Sequence, residues 1–240
     1  MANNRFKELF KVDKPIIGMI HLAGDYLDHK VAMAMGELKV YEDAGIDGAI
    51  IENYHADYNE TLTAIKRIPR MKLDLILGTN ILGNPYVGLS LAGRYGLNFV
   101  QFDNVQERDL DGFLYENMRK NYPEAIVLGG VGFKYTEKTG NKLEDDLECA
   151  KTRCEAIVTT GIGTGIETPL DKLKQYKEIL GDFPLIVGAG TNVDNIREQL
   201  EYADGAIVGS YFKYKENTRN LLIPKKVYNF MNVVKDIRGD

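Results

Sequence analysis

The chain of 240 residues has no tryptophan, three histidines, seven prolines and two cysteines. The cysteines, Cys149 and Cys154, lie in the charged segment "LEDDLECAKTRC" and form no CxxC pair. That excludes a disulfide framework and speaks against a zinc site, so both are expected to be reduced thiols. No apolar run approaches the roughly 20 residues a membrane-spanning helix needs, so no span is expected. The first residues, "MANNRFKELFKVDK", lack the apolar core of a signal peptide, and the expected location is cytoplasmic. The net charge of -5 lacks the basic excess of a general nucleic-acid binder, and no nucleic-acid partner is expected. No linker rich in proline, glycine or serine divides the chain.

What the chain does have is a series of eight short apolar runs. They are "PIIGMIHL" at 15–22, "GAIIENY" at 48–54, "LDLILGTN" at 73–80 and "NFVQFDN" at 98–104. "AIVLGGVGF" at 125–133, "AIVTTG" at 156–161, "PLIVGAG" at 184–190 and "GAIVGSYF" at 205–212 complete the series. Near-continuous apolar runs of this length suit strands of a parallel sheet buried on both faces. Segments with helical spacing follow runs one to three and five to eight. The segment at 31–45 puts Met33, Leu38 and Tyr41 on one face and ends at Gly45, a C-terminal cap. Asn84 before Pro85, and Thr168 before Pro169, read as helix starts. "EDAGIDGAII", "GRYGLNFVQF" and "LEYADGAIVG" repeat one helix-to-strand junction. Eight such units predict an α/β fold, a single-domain (β/α)8 TIM barrel over 15–240, with 1–14 as an N-terminal arm or helix against its bottom.

Active sites of such barrels lie at the C-terminal ends of the strands. Polar residues gather there: His21, Glu52, Asn53, Asn80, Gln101, Asp103, Lys134, Thr160 and Thr164 among them. The stretch "VGAGTNVDN", with a helix expected near Asn192, and "VGSYFK" end runs seven and eight. Backbone N–H groups unblocked by side chains, near a helix start, form an anion cradle. Gly188, Gly190, Thr191, Gly209 and Ser210 are therefore the candidate phosphate-binding residues. The alternative is that the glycines only permit tight turns. "TTGIGTGIE" at 159–167 matches neither a P-loop nor a dinucleotide fingerprint and reads as a loop that folds over a ligand or as a surface loop.

Glu52 and Asp103 would face each other across the mouth and divide acid and base roles, unless one pairs with Lys134 or Lys213 structurally. Lys134 would stabilise developing negative charge or bind phosphate. His21 is a candidate acid or base; His55 is weaker, and His29 belongs to a helix surface. Thus Glu52, Asp103, Lys134 and His21 are the catalytic candidates, and Asn53, Asn80, Thr160 and Thr164 the substrate-binding ones. No cofactor is expected; a divalent metal held by Glu52, Asp103 and His21 is left open.

"KPIIGMIHLAG", "AGIDGAIIENY", "EAIVTTGIGTG" and "VGAGTNVDNI" followed by "ADGAIVGSYFK" together resemble the BtpA/SgcQ family, over 14–213. The resemblance implies a barrel of the ribulose-phosphate-binding type. One member is linked by name to photosystem I biogenesis, another to a sugar gene cluster. The loop after strand one and the ends of strands three and four depart from the family pattern, so Asp103 is local to this chain. The leading expectation is an enzyme for a small phosphorylated metabolite, such as a sugar phosphate or ribose-phosphate derivative. Isomerisation, lyase chemistry and N-glycosidic cleavage all suit it. The alternatives are a BtpA-like assembly or stability factor and a phosphate-ligand-binding regulator. A homo-oligomer is left open.

Overall fold

Each of the eight apolar runs contains a strand, and the strands close on themselves in chain order. The computed structural model describes residues 5–106 and 110–239. The strands are β1 (Ile16–Ile20), β2 (Gly48–Glu52), β3 (Ile76–Asn80), β4 (Phe99–Phe102), β5 (Ile126–Gly130), β6 (Ala156–Thr160), β7 (Leu185–Gly188) and β8 (Gly205–Val208). All neighbours are parallel, and β1 pairs with β8 to complete a (β/α)8 barrel. The helices are α1 (Arg5–Phe10), α2 (Leu27–Ala44), α3 (Tyr58–Arg67), α4 (Pro85–Tyr95), α5 (Gly112–Asn121), α6 (Leu143–Lys151), α7 (Leu170–Leu180), α8 (Ile196–Tyr202) and α9 (Pro224–Arg238).

The strand period of two sorts the core into two shells. Ile17, Met19, Ile50, Phe99, Leu128, Val158, Ile186 and Ile207 fill the barrel interior. Their neighbours, including Ile16, Ile51, Val100, Val127, Ile157 and Val187, face outward onto the helices. Continued towards the C-terminal ends, the inward series reaches His21, Glu52, Asn80, Gln101 and Thr160. The same alternation that fills the barrel therefore aims these polar side chains at its mouth. At the other end, Phe6 and Phe10 of α1 join the interior cluster. Residues 1–4 of the expected arm lie outside the described residues.

Helix ends follow the sequence signals in several places. Gly45 sits at φ 81° and its N–H reaches back to Glu42 and Tyr41. Asn84 accepts from the Val87 N–H, ahead of Pro85 in the first turn. Elsewhere the structure corrects the expectation. α5 follows β4, where spacing gave no helix; Tyr115 is its buried contact, while Phe113 is 81 % exposed. Thr168 does not cap α7: its hydroxyl donates to Gly188 O at 2.7 Å, and the helix starts at Leu170. α8 starts at Ile196 rather than near Asn192, because the two asparagines close turns of their own. Met33 is half-buried, and Val31, Ala34, Leu38 and Tyr41 carry the buried face of α2.

Candidate functional site

Glu52 and Asn80 are register partners on β2 and β3, so their side chains leave the same face side by side. Asn80 Nδ2 donates to Glu52 Oε1 at 3.0 Å and to Asp103 Oδ1 at 2.9 Å. One amide thus bridges two carboxyls. Gln101 Nε2 adds a second bond to Asp103 Oδ1, at 2.9 Å. The two acids are neighbours on one side of the mouth, not opposed across it. Their separation is set by β2–β3–β4 adjacency, which the linear sequence does not display.

Burial and the adjacent Asp103 charge push the Glu52 carboxyl up to about 8, against the pull of Lys134 and the Asn80 bond. Glu52 therefore keeps its proton at neutral pH. His21 is held far below the ordinary histidine value by burial first, then by Lys213, Lys134 and His55. Its imidazole is neutral, and buried Nδ1 has no hydrogen-bond partner. Tyr54 meets the ring edge-on, with centroids 5.4 Å apart.

A cavity of about 50 Å³ opens at the mouth, lined by His21, Glu52, Gln101, Lys134, Thr160 and Thr164, and by both glycine loops. The glycine loops contribute Gly188 to Thr191 and Gly209 to Tyr211. Gly190 is required by its setting: φ is 65°, and a Cβ there would lie 2.3 Å from the Glu167 nitrogen. Ala189 also sits at φ 63°, a conformation that costs a non-glycine residue about 1–2 kcal/mol. The Asn192 and Asn195 side-chain amides both donate to Gly190 O, at 3.2 and 3.0 Å. In a trans peptide the next N–H, that of Thr191, must point the opposite way. The N–H groups of Gly190, Thr191, Ser210 and Tyr211 take no part in the turn and loop hydrogen bonds of the described residues. This cradle stands at two turns; α8 begins beyond it.

The remaining candidates divide. Thr160 Oγ1 accepts from the Lys134 N–H at 2.6 Å and donates to Gly161 O, tying the β5 and β6 ends. Thr164 lines the cavity with an unpartnered buried hydroxyl. The Thr191 hydroxyl donates to Gln199 Oε1 at 2.9 Å, so its backbone is its free feature. Asn53 turns away to accept from the Leu82 N–H at 2.7 Å, outside the cavity lining. Asn80 and Asp103 stand behind the lining, reached through Glu52 and Gln101. Lys213 is not at the mouth; it is buried against Glu37 of α2. His55 bonds Thr218 Oγ1 at 2.8 Å, and His29 lies on the α2 surface by Asp25. Among the described residues no three or more His, Cys, Asp or Glu side chains converge as a metal donor set, the trio Glu52, Asp103 and His21 included. Both cysteines are free, and no helix of the described residues is long and apolar enough to cross a membrane.

Sequence reasoning gave Gln101 only a place among strand-end polar residues, yet it carries a buried oxygen with no partner. It missed Tyr135, whose φ of 62° is unusual for an aromatic residue and whose hydroxyl accepts from the Thr164 N–H at 3.0 Å. No local pattern announces either role.

Comparison with other proteins places this geometry in context. The family described as "BtpA family" matches residues 12–236. Uncharacterized protein MJ1115 of Methanocaldococcus jannaschii is 31% identical, over 92% of this chain and 97% of its own. Photosystem I biogenesis protein BtpA of Synechocystis is 23% identical, over 95% of this chain and 91% of its own. Among solved structures, thiamine phosphate pyrophosphorylase from Pyrococcus furiosus superposes with TM-score 0.67 at 16% identity, covering 96% of this chain and 98% of that one. At that identity the likeness is one of fold.

Proposed function

The chain belongs to the BtpA family, and from its site we propose an enzyme that holds a small phosphorylated metabolite at the C-terminal mouth and acts by acid/base chemistry. One observation carries this reading. His21 Nδ1, Gln101 Oε1 and Thr164 Oγ1 are buried without partners, and all three residues line one cavity. An unsatisfied buried polar group costs about 1–3 kcal/mol, so three together ask for a ligand to complete them. The glycine cradle beside them offers N–H donors suited to a phosphate. The named activity of a fold neighbour, thiamine phosphate pyrophosphorylase, supports a phosphorylated substrate without identifying it.

In this reading the chemistry divides between unlike groups. Glu52, protonated at neutral pH, gives a proton to a leaving or enolising oxygen. Asp103, held by Asn80 and Gln101 behind the lining, sets its charge beside Glu52 and so keeps the proton there. The Lys134 ammonium, in the same lining as Glu52, stabilises negative charge that develops on the substrate. Neutral His21 offers Nδ1 to a substrate hydroxyl. Isomerisation, lyase chemistry and N-glycosidic cleavage each need such a pair held at different protonation states.

The test is a titration of inorganic phosphate and ribose 5-phosphate followed by thermal stability. Ligand at about 100 times its dissociation constant adds about 2.7 kcal/mol, which is about 5–10 °C in a chain of this size. Ser210→Asp, which sets a carboxylate in the cradle, should abolish the shift while leaving the unliganded melting temperature within about 2 °C. No shift in the wild type removes the phosphate reading. If phosphate binds, a screen for turnover follows, in which Glu52→Gln and Asp103→Asn should each lower kcat at least about 100-fold. Unaltered turnover in both would remove these assignments.

A further inference from the structure

A second pocket of about 590 Å³ adjoins the first and shares Phe133, Lys134 and Thr160 with it as a common wall. Its size is that of a small-molecule site. It lies between the loops after β5 and β6, above the first turns of α6 and α7. Val131, Leu143, Pro169, Tyr176 and Ile162 give it apolar surface, and Thr136, Glu137, Lys138 and Asn141 are among its polar lining. Ile162 is 84% exposed and Tyr135 76% exposed at its rim, so nothing among the described residues covers them.

Lys172 stands in the same lining beside these apolar residues. The Lys172 ammonium donates to Gly132 O at 2.6 Å and to Thr160 O at 2.7 Å. With three N–H bonds and two acceptors, it has one donor left. It pairs with no carboxylate among the described residues, and it lies 5.4 Å from the Tyr176 ring centroid. Of the two acids in the lining, Asp146 is already satisfied by Gln106, Thr139 and Asn141, and Glu137 is exposed at the rim. Behind the exposed rim residues Glu137 and Lys138, the pocket therefore presents apolar area and a free Lys172 donor, with Lys134 on the wall it shares with the first cavity.

We propose that this second pocket receives a planar ring bearing hydrogen-bond acceptors, joined to the phosphate-bearing part of the substrate, so that the substrate is bipartite and its junction crosses the wall at Lys134 and Thr160. Apolar walls take the ring faces, and Lys172 donates to an acceptor on the ring edge. Burial lowers the Lys172 amine to about 8, consistent with a group shielded from water on most sides. The strained Tyr135 backbone serves the same geometry: its hydroxyl fastens the β6 loop, through Thr164, over the junction. This inference rests on the phosphate reading above and extends it to the substrate's other half.

The matched probes are ribose 5-phosphate and adenosine or uridine 5'-monophosphate, which add a planar heteroaromatic ring to the same phosphate end. Titration calorimetry of the full chain should show at least one nucleotide binding 10-fold or more tighter than ribose 5-phosphate. Ile162→Asp, a change at an exposed rim position, should bring that ratio to below 3, and Lys172→Met should reduce it as well. Circular dichroism of each variant checks that the fold is kept. Equal binding of all three probes overturns the bipartite substrate while the phosphate reading stands. A preference that survives both substitutions overturns it too. Absence of binding by inorganic phosphate and by all three probes fails the phosphate reading itself, and the bipartite substrate falls with it.

Discussion

Glu52 holds a proton that most glutamates release near pH 4.5, and the causes lie in named neighbours: burial and the Asp103 charge. A raised folded-state value means that between about pH 4.5 and 8 the folded protein binds a proton the unfolded chain has lost. Stability from this residue is therefore complete below the lower value and disappears as pH rises through the upper one. Glu52→Gln keeps an oxygen for Asn80 Nδ2 and cannot ionise. Its melting temperature should match the wild type near pH 4 and exceed it by an increasing margin up to pH 8.5. The limiting slope is about 1.4 kcal/mol per pH unit, so a total of up to about 5 kcal/mol is expected across that window. Parallel melting curves across that range would show that Glu52 is not perturbed. Turnover that depends on protonated Glu52 should fall over the same rise through pH 8. That Glu52, His21 and Thr160 belong to the mouth was legible, because the strand period carries each inward from an apolar neighbour two residues earlier. The perturbation was not legible, since it depends on Asn80 and Asp103 arriving from other strands.

Between elements, the buried pair of Lys213 and Glu37 joins the loop after β8 to α2. Lys213 is 1% exposed, and burial raises Glu37 while Lys213 opposes that shift. Removing one charge strands the other. Lys213→Met should cost about 3 kcal/mol in urea unfolding, and Lys213→Met with Glu37→Leu should recover most of it. A double variant no more stable than the single one would show that the pair is worth its desolvation. The sequence placed Lys213 at the mouth by counting from β8, but the short helical turn at Ser210–Phe212 swings it back towards α2. Similar physics explains the other misplacements. α5 hides from periodicity because it exposes Phe113 and Leu114 and buries little else. α8 starts late because Asn192 and Asn195 satisfy each other's backbone before a helix can form. α3 starts at a reciprocal capping box of Asp57 and Glu60, and Asp57→Ala should cost about 1 kcal/mol by thermal unfolding.

At the scale of the whole molecule the barrel was readable because eight apolar runs, each short and doubly buried, leave few other closed arrangements. The two ends of that barrel then differ in duty. The mouth carries strained and unsatisfied groups, whereas the opposite end is closed by aromatic packing. The Phe10 ring lies tilted against Phe6 and Phe99, with centroids 4.9 and 6.0 Å away, and Phe99 belongs to the barrel interior. α1 is only six residues long, too short to hold itself as an isolated helix, so its order comes from this packing. Phe10→Ala empties a site bounded by β-strand side chains that cannot collapse inward without breaking register, and about 3–4 kcal/mol of stability should be lost. Phe10→Leu, which keeps most of the volume, should lose less than about 1.5 kcal/mol. Neither change touches the loops after β7 and β8, so phosphate affinity measured well below the melting temperature should stay within about 2-fold of the wild type. A large loss of affinity in folded Phe10→Ala protein would mean that packing at the bottom sets the geometry of the mouth. The separation of stability and binding between the two ends would then fail, since the interior column from Phe10 through Phe99 runs directly towards Gln101.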